Sequence, residues 1–298
     1  MSADPMQQLA PLLQEFGSEY LEALRPPTNV QRMREAMRKV CALGSAPADS
    51  RYVACRAGSV ECEWVLAPHS QADRTLVYFH GGGYIVGDIR MYRPLAARIA
   101  HASGCSVLNV EYRLGPENPY TAPRADAIQA IAWARTHGPE GARAAHRVFV
   151  GGDSAGGGLT IVAAQALIGS GDAMPDALVC LSAAVDLSSL LNKLPPDQVE
   201  LLRISNRLFL GDADVRDPIA SPTYGPLEGL PPILMQASSV EPAHVENATF
   251  ADKARAAGVE VTFEVYPNMP HIWQIYAPRL PESQQAIDSI GRFLRRFD

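Results

Sequence analysis

The stretch Gly151-Gly152-Asp153-Ser154-Ala155-Gly156-Gly157-Gly158 places one serine among glycine and alanine, directly after the apolar run 147–150. The apolar run predicts a buried strand, and a helical pattern follows at 159–168. A serine between strand and helix, with small neighbours, fits G-x-S-x-G, in which a strained turn exposes the hydroxyl as a nucleophile. A glycine-rich connector is the alternative. A phosphate-binding loop is disfavoured, because its lysine and terminal serine or threonine are missing.

The segments around this turn extend the same alternation. Short apolar runs predict eight strands, at 51–55, 61–66, 75–79, 106–112, 147–150, 177–184, 232–237 and 259–266. Helical patterns lie between many of them, at 94–102, 124–136, 159–168 and 245–257. Strands that alternate with helices predict an α/β fold, with a mostly parallel eight-stranded sheet flanked by helices.

Two further segments do not follow this rhythm. Helical patterns at 6–16 and 29–43 open the chain, and the prolyl linker Arg25-Pro26-Pro27-Thr28 separates them. The segment 187–229 carries a helical pattern at 197–210 and is too long for a simple connection. We expect an insertion that lies over the sheet rather than a separate domain.

A second glycine cluster, His80-Gly81-Gly82-Gly83-Tyr84, follows the strand predicted at 75–79. Consecutive glycines let the backbone approach a ligand and turn its N–H groups toward it. Acyl transfer through a serine needs such donors for the oxyanion of the tetrahedral intermediate. Gly82 and Gly83 are the candidate donors, together with Ala155 directly after the serine. Alone the cluster fits a flexible loop, but the two motifs in this order indicate acyl transfer.

Together these motifs resemble the hormone-sensitive lipase family of α/β-hydrolases, in its branch of bacterial esterases. The resemblance covers 75 to the C-terminus and is carried by His80 to Tyr84, Tyr112-Arg113-Leu114-Gly115-Pro116-Glu117-Asn118-Pro119-Tyr120, Gly152 to Gly157, and Met269-Pro270-His271. It implies an α/β-hydrolase fold with one catalytic domain over 1–298 and a helical cap formed by 1–46 and 187–229. It also implies a serine carboxylesterase that hydrolyses short-chain acyl esters and needs no cofactor and no metal.

The general base and the acid follow the serine in this fold, in the order serine, acid, histidine. His271 lies just past the strand predicted at 259–266, where the resemblance places the catalytic histidine, whereas His244 fits a surface histidine. Family members usually carry an aspartate after the strand predicted at 232–237. Here Glu241, directly before a proline, takes that place, and Glu246 is the alternative.

The resemblance also assigns supporting residues around the glycine loop. His80 is expected to organise the loop through hydrogen bonds, and Asp153 to brace the serine turn. Tyr112, Arg113 and Glu117 are expected to form a polar scaffold beneath the loop. The candidate walls of the substrate pocket are Tyr84, Leu208, Phe209 and Trp273.

Composition excludes several classes of protein. The 298 residues are 47% hydrophobic and 19% charged, as in a soluble enzyme, and the net charge of −6 offers no footprint for nucleic acid. The first residues lack the basic and apolar regions of a signal peptide, and no apolar run is long enough to span a membrane. Five cysteines match no zinc pattern and suit a cytoplasmic protein. The expected partner is therefore a small-molecule ester, with no nucleic acid and no membrane, and a homodimer can form through the edge of 259–266.

Two other functions remain open at this point. The same serine, histidine and carboxylate can hydrolyse a lactone, a carbamate or an amide. A non-catalytic ligand-binding protein is the alternative from another class, since gibberellin receptors resemble this family but lack the histidine. The presence of His271 argues against that alternative.

Overall fold

The computed structural model describes residues 5–192 and 196–298, and the predicted strands form one eight-stranded sheet within them. The strands are β1 (Arg51–Ala57), β2 (Val60–Leu66), β3 (Gln71–Phe79), β4 (Cys105–Glu111), β7 (Arg147–Asp153), β8 (Leu178–Leu181), β9 (Ile233–Ser238) and β10 (Val261–Tyr266), while β5 (His137–Gly138) and β6 (Gly141–Ala142) form a separate small ladder. The sheet order is β1-β2-β4-β3-β7-β8-β9-β10.

Strand direction in this sheet brings several loops to one edge. β4, β3, β7, β8, β9 and β10 run parallel, and only the β1–β2 and β2–β4 pairings are antiparallel. The prediction of a mostly parallel sheet is therefore confirmed. Because ligands of open α/β sheets bind beyond the carboxyl ends of the strands, the loops after β3, β7, β8, β9 and β10 frame the site.

Helices cover both faces of the sheet. They are α1 (Pro5–Leu24), α2 (Val30–Cys41), α3 (Arg93–Ser103), α4 (Ala122–Ala134), α5 (Ala155–Leu167), α6 (Pro196–Leu210), α7 (His244–Ala256) and α8 (Pro281–Leu294). Neighbouring residues of β3 belong to different apolar clusters: Val77 packs in the cluster that contains α4 and α5, and Leu76 packs in the cluster that contains α3 and α8. This alternation follows from side chains that point to opposite faces of a strand.

Several element bounds differ from the sequence prediction. α1 continues past Phe16 to Leu24, because neither Gly17 nor Ser18 ends it. α8 is not predicted at all, although it buries Ile287 and Ile290 against the sheet. Within the described ranges, no helix combines the length and the apolar character that crossing a membrane requires.

The two segments expected to form a cap contact each other. α1 packs on α2, and α1 also contacts α6 of the insertion. Residues 1–4 of the expected segment 1–46, and residues 193–195 of the expected segment 187–229, lie outside the described residues.

Candidate active site

The turn that carries Ser154 joins β7 directly to α5. β7 ends at Asp153 and α5 begins at Ala155, so the serine alone makes the turn, with φ 49° and ψ −117°. A positive φ is strained for a residue with a side chain and persists only where the surroundings fix it. Small neighbours are required here, because a Cβ on Gly156 would collide with the backbone carbonyl oxygen of Phe79.

Strained backbone recurs along this edge of the sheet. In the described part of the chain, the non-glycine residues with positive φ are Tyr84, Ser154, Ser182, Asn268 and Ile272. All five follow the carboxyl ends of parallel strands of the sheet. Backbone strain of this kind concentrates at functional sites, so its position marks the same edge as the serine.

Ser154, His271 and Glu241 form a chain of hydrogen bonds. His271 Nε2 lies 3.0 Å from Ser154 Oγ, and His271 Nδ1 lies 2.6 Å from Glu241 Oε2. The other carboxylate oxygen of Glu241 accepts the N–H of Ser238 at 2.8 Å. The side chain of Glu241 is 1% exposed and that of His271 is 44% exposed, so the imidazole bridges a buried carboxylate and an accessible hydroxyl. This is the geometry of a nucleophile, a base and an orienting acid.

Glu246, the alternative acid, occupies a different environment. It lies in the first turn of α7, and its Oε1 accepts a hydrogen bond from Ser189 Oγ at 2.7 Å. His244 begins the same helix and is half buried, with its ring stacked 6.2 Å from that of Phe263. His244 is thus a partly exposed histidine whose ring packs on β10.

The glycine loop after β3 offers backbone donors beside Ser154. Gly82 and Gly83 have φ of 118° and 61°, and the carbonyl oxygen of Gly82 accepts the N–H groups of Ile85 at 3.1 Å and Val86 at 3.0 Å. In the turns and loops of the described ranges, the N–H groups of Gly82 and Gly83 donate to no protein acceptor. Ala155 opens α5, where the first N–H groups of a helix have no partner within it.

Asp153 connects the serine turn to the glycine loop. Its Oδ1 accepts the hydroxyl of Tyr78 at 2.8 Å and the N–H of Gly81 at 3.1 Å, and its Oδ2 accepts the hydroxyl of Tyr92 at 3.0 Å. Burial raises the pKa of Asp153 to about 6, against the lowering effect of the two tyrosine hydrogen bonds. The carboxyl thus holds the first glycine of the loop beside the serine turn.

His80 also fixes this loop and is buried. Its Nδ1–H donates to the carbonyl oxygen of Gly81 at 2.7 Å, and its ring stacks on that of Tyr112 at 4.5 Å. The hydroxyl of Tyr112 donates to the carbonyl oxygen of His80 at 2.6 Å. Burial lowers the pKa of His80 to about 4, so the imidazole is neutral near neutral pH.

The charges of Arg113 and Glu117 do not lie beneath the loop as expected. Arg113 pairs with Asp126 of α4 at 2.7 Å, and Glu117 pairs with Arg34 of α2 at 2.9 Å. Both charged groups are about half exposed, because their partners lie on helices outside the sheet. They therefore join the loop region to α4 and α2.

A cavity of about 150 Å³ opens beside the candidate nucleophile. It is lined by Ser154, Ser182, Ala183, Ala184, Val185, Asp186, Leu187, Leu202, Ala243, Glu246 and His271. The loop after β8 supplies most of the lining, and Leu202 contributes a side chain from α6. The sequence carried no signal for Ser182 or Leu202, because neither belongs to a motif.

The four pocket residues chosen from sequence lie elsewhere. None of Tyr84, Leu208, Phe209 and Trp273 lines this cavity. The ring of Phe209 on α6 stacks 4.0 Å from that of Tyr84, so α6 packs against the glycine loop. A Cβ on Gly115 would meet the carbonyl oxygen of Leu208, which places that residue against the loop region too. Trp273 is fully buried, and its ring lies 4.9 Å from that of Tyr266.

Potential metal ligands do not cluster in the described part of the chain. No group of three or more histidine, cysteine, aspartate or glutamate side chains there is arranged to hold an ion. The geometry assembles a serine, an imidazole and a carboxylate, and Asp153 joins the serine turn to the glycine loop.

Comparison with known proteins places the chain in a family. A sequence profile described as the alpha/beta hydrolase fold matches residues 76–275. An acetyl-hydrolase of Streptomyces hygroscopicus is 39% identical over 262 residues, which cover 85% of this chain and 84% of that protein. A crystal structure of a mutant of the esterase E40 matches with a TM-score of 0.88 at 34% identity and covers 99% of both chains. A second, of an esterase from the bacterial hormone-sensitive lipase family, matches with a TM-score of 0.84 at 36% identity and covers 96% of this chain and 98% of that one. The chain therefore belongs to the α/β-hydrolases, in the bacterial hormone-sensitive lipase family.

Proposed function

We propose that this protein is a serine carboxylesterase that hydrolyses short-chain acyl esters through an acyl-enzyme intermediate. The observation that carries the proposal is the hydrogen-bonded chain from Ser154 Oγ through His271 to Glu241. Asp153, directly before the serine, joins this chain to the glycine loop by accepting the N–H of Gly81. The names of the relatives, an acetyl-hydrolase and several esterases, agree with this activity.

Acylation starts with the serine hydroxyl. Ser154 Oγ bonds to the ester carbonyl carbon while its proton passes to His271 Nε2. The carbonyl oxygen becomes an oxyanion, which the N–H groups of Gly82, Gly83 and Ala155 receive. Collapse of this intermediate breaks the bond to the alcohol oxygen, which takes the proton from His271 Nε2, and the acyl group stays on Ser154.

Deacylation repeats these steps with water. A water oxygen bonds to the acyl carbon and gives its proton to His271 Nε2, and the oxyanion returns to the same donors. When the intermediate collapses, Ser154 Oγ leaves with that proton and the carboxylic acid is released. Glu241 holds Nδ1–H throughout, which fixes the tautomer and stabilises the imidazolium as it forms.

We further propose that 1–298 is one catalytic domain, and that 1–46 and 187–229 form its cap. Leu202 on α6 supports this division because it lines the cavity beside Ser154. The contact between α1 and α6 supports a cap that draws on both segments. The small volume of the cavity favours short acyl chains over long ones.

Location and assembly are part of the same proposal. All five cysteines are free thiols, as is usual in a reducing cytoplasm. β10 is the last strand of the sheet, and its outer edge is available to pair with a second copy in a homodimer.

The proposal is tested with p-nitrophenyl esters from acetate to laurate, on the wild type and on Ser154→Ala. We expect the wild type to prefer acetate or butyrate, and the variant to keep its fold but lose hydrolysis. Activity that persists in the folded variant would rule out Ser154 as the nucleophile. If the wild type hydrolyses lactones, carbamates or anilides better than any ester, the natural substrate belongs to that class, while the catalytic roles of Ser154, His271 and Glu241 stay the same.

A further inference from the structure

We propose that Arg34 on α2 is a positioning residue for the oxyanion loop, defined here as residues 80–87. Through it, the N-terminal helices set the rate of acyl transfer. The inference rests on the esterase function proposed above. Arg34 touches no reacting atom, and it acts through the backbone that presents the oxyanion donors.

Arg34 reaches the loop from the middle of α2. Its side chain is 16% exposed, and its Nε donates to the carbonyl oxygen of Ile85 at 3.1 Å. Nη1 and Nη2 each donate to one carboxylate oxygen of Glu117 at 2.9 Å, and Nη2 also donates to the carbonyl oxygen of Gly115 at 3.4 Å. One guanidinium thus holds the oxyanion loop and the neighbouring segment after β4 together.

The residues that carry these carbonyls are each one backbone hydrogen bond away from the glycine loop. The N–H of Ile85 donates to the carbonyl oxygen of Gly82 at 3.1 Å, and the N–H of Gly115 donates to the carbonyl oxygen of Tyr84 at 2.8 Å. Arg34 therefore fixes the C=O of Ile85, while the N–H of Ile85 holds the C=O of Gly82. That carbonyl shares its planar peptide unit with the N–H of Gly83, one of the proposed oxyanion donors. A displacement of Ile85 moves that donor.

The loop needs such an anchor because three of its residues are consecutive glycines. Glycine restricts its own backbone less than any other residue, so contacts from outside the loop must fix its conformation. Asp153 holds the start of the loop at Gly81. Arg34 holds Ile85 on the other side of the glycines, so the donors at Gly82 and Gly83 lie between two fixed points.

Arginine suits this position better than lysine. A planar guanidinium presents several N–H groups in a fixed fork, so it can bind a carboxylate with two of them and a carbonyl oxygen with another. The Glu117 carboxylate orients the fork, and the hydrogen bond from Arg34 lowers the pKa of Glu117 below its ordinary value. A lysine ammonium at the same place holds Glu117 or Ile85, but cannot match both geometries.

The test compares Arg34→Ala and Arg34→Lys with Arg32→Ala and Glu117→Ala. Arg32 is a matched control because it lies on the same helix, is 54% exposed and pairs only with Glu22 at 3.4 Å among the described residues. The measurements are kcat and KM for p-nitrophenyl butyrate and the inhibition constant of an alkyl trifluoromethyl ketone. Addition of Ser154 to this ketone creates an oxyanion in the proposed hole, so its affinity reports on the donors directly.

We expect Arg34→Ala to lower kcat by roughly ten- to a hundredfold, because small displacements of oxyanion donors are costly. KM should change far less, and the ketone should bind more weakly by the same factor as kcat falls. Arg34→Lys should recover part of the loss, Glu117→Ala should lose less than Arg34→Ala, and Arg32→Ala should match the wild type.

Three results would overturn the inference. The first is a folded Arg34→Ala protein with wild-type kcat. The second is a fall in kcat without weaker ketone binding, since the defect would then lie outside the oxyanion donors. The third is an equal loss in Glu117→Ala, which would assign the effect to the ion pair alone.

If Arg34→Ala does not fold, Arg34→Lys and Glu117→Ala carry the same comparison. A wild type that neither hydrolyses esters nor binds the ketone would contradict the esterase proposal itself. An active wild type together with an Arg34→Ala variant of unchanged kcat and ketone affinity would contradict only the role of Arg34.

Discussion

His80 and Asp153 hold opposite sides of the same residue, Gly81. His80 Nδ1–H donates to the Gly81 carbonyl oxygen at 2.7 Å, and Asp153 Oδ1 accepts the Gly81 N–H at 3.1 Å. Both side chains are buried, and burial moves their pKa values in opposite directions, to about 6 for Asp153 and to about 4 for His80. The two groups that hold the start of the oxyanion loop therefore change the free energy of unfolding with pH in opposite directions.

The first prediction concerns the free energy of unfolding between pH 4 and pH 6. Asp153 holds its proton there in the native state, while an unfolded aspartate has lost it, so this group makes stability fall as pH rises. An unfolded histidine binds a proton there that native His80 does not, so this group makes stability rise with pH. In the wild type, we expect these two contributions largely to cancel.

Single substitutions should separate the two slopes. The reference is the double variant His80→Asn/Asp153→Asn. In His80→Asn, Asp153 remains, so the free energy of unfolding relative to the double variant should fall by roughly 1.4 kcal/mol per pH unit from pH 4 to 6. In Asp153→Asn, His80 remains, so it should rise by about as much. Urea unfolding at pH 4, 5, 6 and 7 measures all four proteins, and the double variant removes both groups from the comparison. Parallel curves for the two single variants would contradict the assignment.

The second prediction separates the two candidate acids. Glu241→Gln should lower kcat by about 10³- to 10⁴-fold, because an amide can donate to His271 Nδ1 and favour the wrong tautomer. Glu246→Gln should lower it by no more than about tenfold, since this carboxylate contacts Ser189 rather than the imidazole. Steady-state kinetics with p-nitrophenyl butyrate decide between them. A larger loss in Glu246→Gln would mean that the wrong carboxylate is assigned.

The third prediction concerns acyl-chain preference. Leu202 lines the cavity beside Ser154, whereas Leu201, its neighbour on α6, packs against the core. Leu202→Ala should open the cavity by several methylene groups, and each buried methylene contributes about 0.8 kcal/mol. We expect the ratio of kcat/KM for octanoate over acetate to rise by at least about tenfold. Leu201→Ala is the control, and an equal shift in both variants would show that the cavity does not hold the acyl chain.

Local sequence patterns were sufficient for much of the fold. Short β-type runs predict all eight strands of the sheet, and the runs of buried strands such as β8 are continuously apolar, whereas the edge strands β1 and β10 are not buried on both faces. The sequence also carries a signal for α8: Pro281 stands in its first turn, and Ile287, Ile290 and Leu294 recur at helical spacing. The serine turn and the glycine loop were predicted because each is a contiguous motif whose backbone demands small residues.

Contacts between distant segments had no such signal. Arg34 and Glu117 pair across 83 positions, and the ring of Tyr84 stacks on Phe209 of the insertion. Neither contact follows from a periodic pattern in the sequence, because only the tertiary fold brings the two segments together. For the same reason the cavity lining differs from the wall residues chosen by size and apolarity.

The fourth prediction tests the need for small residues at the serine turn. A Cβ on Gly156 would collide with the carbonyl oxygens of both Phe79 and His80, which are backbone atoms that cannot rotate away. Gly156→Ala should therefore lower the free energy of unfolding by about 1–3 kcal/mol. It should also lower esterase activity strongly, because the clash pushes on the residues that begin the oxyanion loop.

Gly17→Ala is the matched control for this change. Gly17 lies within α1, and a Cβ there meets no atom within 4 Å. Alanine favours a helix over glycine, so this variant should gain about 0.5–1 kcal/mol and keep its activity. Urea unfolding and p-nitrophenyl butyrate hydrolysis are measured on both variants. If Gly156→Ala matches the wild type in both assays, steric clearance is not what requires glycine at the turn, and the tight approach of α5 to the end of β3 must relax at little cost.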